Sequence, residues 1–238
     1  KLMVRNLGWL MAEFAQLPRM TRESVGSVMV QEGFENFLAA EGQGRGVLFL
    51  TGHFGAWELT PFAHALYHKP LDFLVRPVKN GRVDALVSRY RGLCGNRPIE
   101  KNESARTVLR SLRKGGTVGI LADQNTTPVE AVFVDFFGVA AATTAGLARL
   151  ARRTGAAVVP ARSFWDASLG KYVLRYEPAM ELAESDDEEA DIRAHTARFN
   201  QVLEGFVRRF PDQWFWVHRR WKNRPEGEAS IYEDQARA

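Results

Sequence analysis

The chain has 238 residues, 45% of them apolar, enough to bury one full core as a single domain of two or three layers. Its one cysteine, Cys94, excludes an internal disulfide framework and a thiolate cluster for zinc. The balance of 32 basic to 28 acidic residues is only mildly basic, but the acidic run "ESDDEEAD" at 184–191 leaves the remainder more positive than the net +4 suggests. Such a charge distribution suits anionic partners: a phospholipid surface, a phosphorylated substrate, an acidic carrier protein or nucleic acid.

No apolar run reaches the roughly 18–20 residues of a membrane span, and no signal-peptide pattern is present. The first apolar stripe, Met3, Leu7, Leu10, Phe14 and Leu17, predicts an amphipathic helix ended by Pro18. That face either packs on the domain or lies on a membrane surface. Thr21 or Ser24 then caps a second helix reaching about Glu41, and "GQGRG" breaks it.

From there strands and helices alternate. "GVLFLT" is a buried strand, "AWELTPFAHALY" a helix, "LDFLVRP" a strand, and "GRVDALVSRYRGLCG" and "ESARTVLRSLRKGG" are helices. "TVGILAD" is another buried strand, "VFVDFFG" a further one, and "TTAGLARLARRTG" a helix. "AAVVPARSFW" and "KYVLRYEP" are strands, and an amphipathic helix over 192–210 precedes an aromatic-basic tail. Continuous apolar strands between helices predict an α/β fold: a single three-layer domain with a mostly parallel sheet flanked by helices. Within it we expect an N-terminal amphipathic helical segment (1–40), the α/β domain (41–228) and a C-terminal tail (229–238).

Ligands of such sheets bind beyond the carboxyl ends of the strands. Three predicted strand ends carry His53, Arg76, and Asp123 with Gln124. His53 and Glu58, five residues apart in "GHFGAWE", would diverge by about 140° on a helix. If His53 instead sits in a turn allowed by Gly52 and Gly55, Glu58 in the first helical turn can reach one ring nitrogen and leave the other as a base. A capping histidine beside an ordinary first-turn glutamate fits the same spacing. The histidines are dispersed, His64 and His68 alone share a helix face, and no H-E-x-x-H occurs, so we expect no metal. "GQGRG" precedes its strand and is no dinucleotide fingerprint.

Taken in order, "GHFGAWE", "VRPVKN", "RYRGLCGN", "GILADQN", "VFVDFFGVAAATTAGLARLARRTGAAVVP" and "PDQWFWVHRRWKNRPEG" resemble the successive blocks of the bacterial lipid A biosynthesis acyltransferases, the late lauroyl/myristoyl transferases. The resemblance covers about residues 40–228 and includes the H-x-x-x-x-D/E motif of the wider glycerolipid acyltransferase superfamily. It implies an O-acyltransferase on the cytoplasmic face of the bacterial inner membrane, anchored or peripheral, that moves a fatty acyl chain from a thioester to a hydroxyl of a lipid A precursor or related glycolipid. It implies acyl carrier protein or CoA as thioester partner, no further cofactor and no nucleic acid. Family members carry an N-terminal membrane helix that is not among these residues.

Carried over residue by residue, the resemblance implies His53 as general base oriented by Glu58, with Arg91 and Asp123 as further catalytic positions. It also implies Arg76, Gln124, Arg219, Arg220 and Lys222 at substrate, phosphate or headgroup. "AVFVDFF" offers apolar surface for a fatty chain, although an ordinary buried strand accounts for most of it. The rival expectation is a catalytically silent protein that binds a membrane surface or an anionic ligand through its basic tail and N-terminal helix.

Overall fold

The computed structural model describes residues 1–100 and 104–232. In chain order the helices are α1 (Leu2–Gln16), α2 (Phe34–Glu41), α3 (Leu59–Tyr67), α4 (Gly81–Arg91), α5 (Ser104–Arg113), α6 (Gly146–Thr154) and α7 (Glu188–Arg209). The strands are β1 (Met29–Glu32), β2 (Val47–Thr51), β3 (Asp72–Val75), β4 (Arg97–Glu100), β5 (Thr117–Leu121), β6 (Ala131–Phe136), β7 (Val139–Thr144), β8 (Ala157–Asp166) and β9 (Lys171–Tyr176).

Seven strands form one sheet in the order β1-β9-β8-β2-β5-β3-β4, parallel except for the β8–β9 pair. The central strand β2 is buried on both faces, which explains its unbroken apolar sequence. Alternation along it sends Leu48 and Leu50 into one core and Val47 and Phe49 into the other. The first core is closed by α5, α6, α7 and the antiparallel hairpin β6–β7, the second by α1, α2 and α3. The fold is the expected three-layer α/β arrangement with a mostly parallel sheet.

Several local features depart from the expected pattern. The second helix is not continuous: a 3₁₀ turn (Val25–Ser27) and β1 precede α2, and Gly33 at φ 67 makes the bend between strand and helix. β1 pairs with β9 through Met29↔Tyr172 to Glu32↔Arg175, so one strand from within residues 1–40 joins the sheet. The stripe of α1 turns inward, with Leu10 and Leu17 buried and Leu7 and Phe14 packed on the same core. The exposed apolar residues of α1 are instead Leu2, Val4 and Met11. Strands β4 and β7 lie in stretches where no strand was expected. Of the tail at 229–238, residues 233–238 lie outside the described residues.

The acidic run is the start of α7. Asp187 accepts the Ala190 N–H at 3.0 Å as its cap, and Glu189 and Asp191 pair with Arg149 and Arg152 of α6. A carboxylate-rich first turn thus both favours the helix dipole and fastens α7 to α6.

Arg220, expected at substrate, is fully buried. Its guanidinium donates to Ala142 O (2.9 Å), Thr143 Oγ1 (2.6 Å) and Asn200 Oδ1 (3.4 Å), and lies 4.9 Å from the Phe136 ring centre. It therefore clamps the tail to β7 and α7 and cannot meet a ligand. Burial pushes its pKa down to about 10, so it remains a cation at neutral pH. Replacing Arg220 by Leu strands these three acceptors and should cost about 2–4 kcal/mol of stability. Urea unfolding checks this; an unchanged midpoint and slope would return Arg220 to the surface chemistry expected from its sequence.

Candidate functional site

β2 ends at Thr51, whose carbonyl still accepts the Ala122 N–H at 2.9 Å, and the chain then turns through Gly52 to Gly55. His53 lies in this turn, beyond the strand and before α3. Gly55 adopts φ 49, and a Cβ there would sit 2.5 Å from Ser163 O. Gly52 is needed for a different reason: a Cβ would stand 2.9 Å from Asp123 Cγ. The first glycine lets the carboxylate approach, and the second makes the turn.

Asp123 follows β5 and is almost entirely buried. Its Oδ1 accepts from His53 Nδ1 at 2.9 Å. Its Oδ2 accepts the backbone N–H of His53 at 2.9 Å and the indole N–H of Trp214 at 2.7 Å. Burial works against the carboxylate charge, but the attraction and hydrogen bonds of His53, together with Trp214, outweigh it and hold the pKa below its ordinary value. With Nδ1–H engaged, His53 Nε2 is the acceptor nitrogen, and the Gln124 amide nitrogen lies 3.3 Å from it. Trp57 and Phe215 flank the imidazole, with ring centres 5.4 and 6.1 Å away.

Glu58 does not orient His53. It gives both oxygens to Arg91, accepting Nε–H at 2.9 Å and Nη2–H at 2.5 Å. The reason is positional: Glu58 is the N-cap residue of α3 and Arg91 the last residue of α4, so the two helix ends face each other. Burial works against the Arg91 charge, yet the Glu58 carboxylate more than offsets it and holds the guanidinium protonated. The expected His53–Glu58 pair is thus two pairs, His53 with Asp123 and Glu58 with Arg91.

A cavity of about 670 Å³ opens in front of His53. His53, Glu58, Arg76, Arg91 and Gln124 line it, as do Arg149 and Arg153 of α6. Among its described lining residues Glu58 is the only carboxylate against four arginines. Deeper in, the lining is apolar and belongs to both cores: Leu74, Val108, Leu147 and Leu150 on the α5–α6 side, and Phe49, Leu71, Phe73 and Leu174 on the α3 side. Arg219 and Lys222 are exposed and do not line it, and "AVFVDFF" contributes no lining residue because it forms β6 against α7. The tail matters through Trp214, which sequence reasoning passed over in favour of its cations. A second histidine close by, His218, is held below its ordinary pKa by burial.

The model of the family described as bacterial lipid A biosynthesis acyltransferase matches residues 1–223. The lipid A biosynthesis palmitoleoyltransferase of Escherichia coli (strain K12) is 32% identical over 202 residues, covering 84% of this chain and 64% of that protein. A lipid A biosynthesis acyltransferase of Haemophilus influenzae is 30% identical over 196 residues, covering 82% and 60%. The E. coli lipid A biosynthesis myristoyltransferase is 27% identical over 225 residues, covering 93% and 68%. The chain therefore spans somewhat under two thirds of the first two relatives. Among solved structures, the 1-acyl-sn-glycerophosphate acyltransferase of Thermotoga maritima aligns with a TM-score of 0.47 at 12% identity, over 88% of this chain and 87% of that one.

The buried carboxylate makes a prediction about stability. Because the folded pKa of Asp123 is lowered, its ionised form stabilises the fold fully above the unfolded value of 3.8, and that contribution is lost as pH falls through the folded value. Asp123→Asn lacks it at every pH. The gap in unfolding free energy between wild type and variant should be widest near neutral pH and narrow on acidification. Equal gaps in urea melts at about pH 7 and about pH 3 would show that the Asp123 charge does not hold the turn.

Proposed function

Since this chain belongs to the bacterial lipid A biosynthesis acyltransferase family, we propose that it transfers a fatty acyl group from a thioester to a hydroxyl of a lipid A precursor. One observation carries the reading: an imidazole whose acceptor nitrogen meets the Gln124 amide stands where an arginine-lined mouth meets deep apolar space. That combination fits a reaction between amphiphiles whose headgroups are anionic and whose tails are hydrocarbon.

The chemistry follows from the geometry. The acceptor hydroxyl displaces the Gln124 amide from His53 Nε2 and gives its proton there as its oxygen bonds to the thioester carbonyl carbon. The carbonyl electron pair moves to oxygen, where the Gln124 amide is the donor at hand. Asp123 stabilises the imidazolium formed and keeps the ring from turning. The oxyanion collapses, the carbon–sulfur bond breaks, and the proton on Nε2 passes to sulfur, releasing an ester and a thiol. Glu58 serves by holding Arg91 at the mouth, where Arg76 adds positive charge for a phosphate of donor or acceptor.

Acyl carrier protein and CoA both present a phosphopantetheine thioester to such a mouth, and the arginines Arg149 and Arg153 suit an acidic carrier. Apolar residues on the outer surface, Val78, Val83 and Leu86 on and before α4 and Trp216 and Val217 in the tail, are exposed next to cations and suit contact with an anionic membrane face. No helix among the described residues is long and apolar enough to cross a membrane.

The test is release of free thiol from acyl-carrier-protein and acyl-CoA donors, with mass spectrometry of the acceptor for the added acyl group. Salt-sensitive lipid binding without thiol release would instead favour a silent binder. His53→Ala should lower kcat by about 10²–10⁴ without unfolding the protein. Asp123→Asn should approach the same loss, and the double variant should be hardly worse, because the carboxylate acts through the imidazole. Glu58→Gln should raise KM more than it lowers kcat, since it loosens Arg91 and leaves the base intact. A Glu58→Gln loss confined to kcat and matching that of Asp123→Asn would restore Glu58 as the partner of His53.

A further inference from the structure

Gly119 occupies the middle of β5, an unusual place for glycine, which weakens a strand and packs nothing. The backbone does not require it: its φ is not among the positive values, unlike that of ten other glycines. Packing does not require it either. A Cβ would meet Phe73 Cβ at 3.4 Å, Leu71 Cδ1 at 3.8 Å and Asp72 O at 3.9 Å, which are ordinary contacts. The fold has room for a side chain that the sequence withholds.

The register shows what the room is for. Gly119 pairs with Phe49 on β2 and with Phe73 on β3, so the three form one row on the α3 face, a glycine between two rings. Just past this row β3 parts from β5: the two pair only at Asp72↔Val118 and Phe73↔Gly119, while β5 continues along β2 to Leu121. All three residues of the row line the cavity, and α3 roofs it with Thr60, Pro61 and His64. On this side the cavity ends blind against fully buried Leu174 and Tyr176. On the α5–α6 side it runs instead between exposed or half-exposed Ala105, Leu109, Gly146 and Arg153, as an open groove.

We propose that the blind arm on the α3 face takes the acyl chain of the donor, and that Gly119 is the residue that sets how long a chain it accepts. The assignment rests on the acyl-transfer reading above. A blind apolar arm suits a hydrocarbon tail whose end must be measured, whereas an open groove measures nothing. Phe49 lies two residues before Thr51, the last residue of β2, so the Phe49–Gly119–Phe73 row sits about 7 Å below the strand end from which the His53 turn starts. A long fatty chain whose carbonyl carbon is at His53 Nε2 must pass the slot between the two rings, and a shorter one stops above it.

The experiment measures kcat/KM for decanoyl, dodecanoyl, tetradecanoyl and hexadecanoyl thioesters in the full chain. Gly119→Val should cut the hexadecanoyl-to-decanoyl ratio at least about 10-fold while short-chain transfer persists. Gly119→Ala, which the contacts above admit without displacing a neighbour, should shift the ratio the same way by less and covers the case in which Val does not fold. Leu150→Phe, which narrows the open groove, should leave the ratio unchanged. Folded Gly119 variants with the wild-type ratio would overturn the proposal, as would a Leu150→Phe variant that moves the ratio in their place. Calorimetry with hexadecanoate separates the two readings. If wild type releases no thiol from any thioester yet binds hexadecanoate, and Gly119→Val abolishes that binding, the chain arm stands and the reaction assignment falls.

Discussion

The molecule is organised around one carboxylate taken out of water. Asp123 accepts three N–H groups, from the His53 backbone, the His53 ring and Trp214, and these come from two distant parts of the chain. Burying a carboxylate without such partners costs several kcal/mol or neutralises it. The constraint therefore runs outward. The His53 turn must come close, which demands Gly52; the indole must reach in, which demands that the tail fold back over the sheet. The same three bonds fix the imidazole tautomer and leave Nε2 facing the cavity. Stability of the turn and orientation of the imidazole are one arrangement.

The cavity in turn depends on how the sheet is divided. A fully paired sheet separates its two cores, but β3 stays with β5 for two residue pairs and then diverges. Beyond that point apolar space from both faces joins in front of His53. The polar mouth is held open by a bidentate ion pair between the ends of α3 and α4. Because α4 buries none of its own residues, that pair carries an uncommon share of its attachment. An arginine is suited to this, since its planar fork binds both carboxylate oxygens at once and presents its remaining edge outward.

Much of the fold was legible, because period and continuity are local properties. The buried strands β2, β5, β8 and β9 and the helices α1, α3, α6 and α7 follow from apolar patterning alone. Strands β4 and β7 escaped it: Arg97–Glu100 is too short and polar at an edge, and Val139–Thr144 is alanine- and threonine-rich beside a helix start. At the site, the residues at strand ends were recognisable as a set, and His53, Arg76, Asp123 and Gln124 do converge. The pairing within the set was not recognisable. Sequence proximity favoured Glu58 for His53, whereas the parallel register of β2 with β5 puts the residues after both strands side by side, and a contact across 70 positions wins over one across five. Arg220 was misplaced because its neighbours Arg219 and Lys222 are exposed, and charge alone does not reveal which of three adjacent cations turns inward.

The tail does more than deliver an indole. Gly55 N donates to Gln213 O, Phe215 N donates to His53 O, and Phe54 and Trp214 bridge as antiparallel partners, so residues 213–215 lie along the His53 turn like a short extra strand. These bonds close a loop of some 160 residues that contains the whole sheet beyond β2. On a ribosome, the histidine emerges early and its clasp emerges late, after every other strand is available to pair. A nascent or truncated chain therefore has the imidazole without the frame that aims it, and the frame closes only when residues 213–215 have been made. Orientation of the imidazole and completion of the fold are in this way the same event in time.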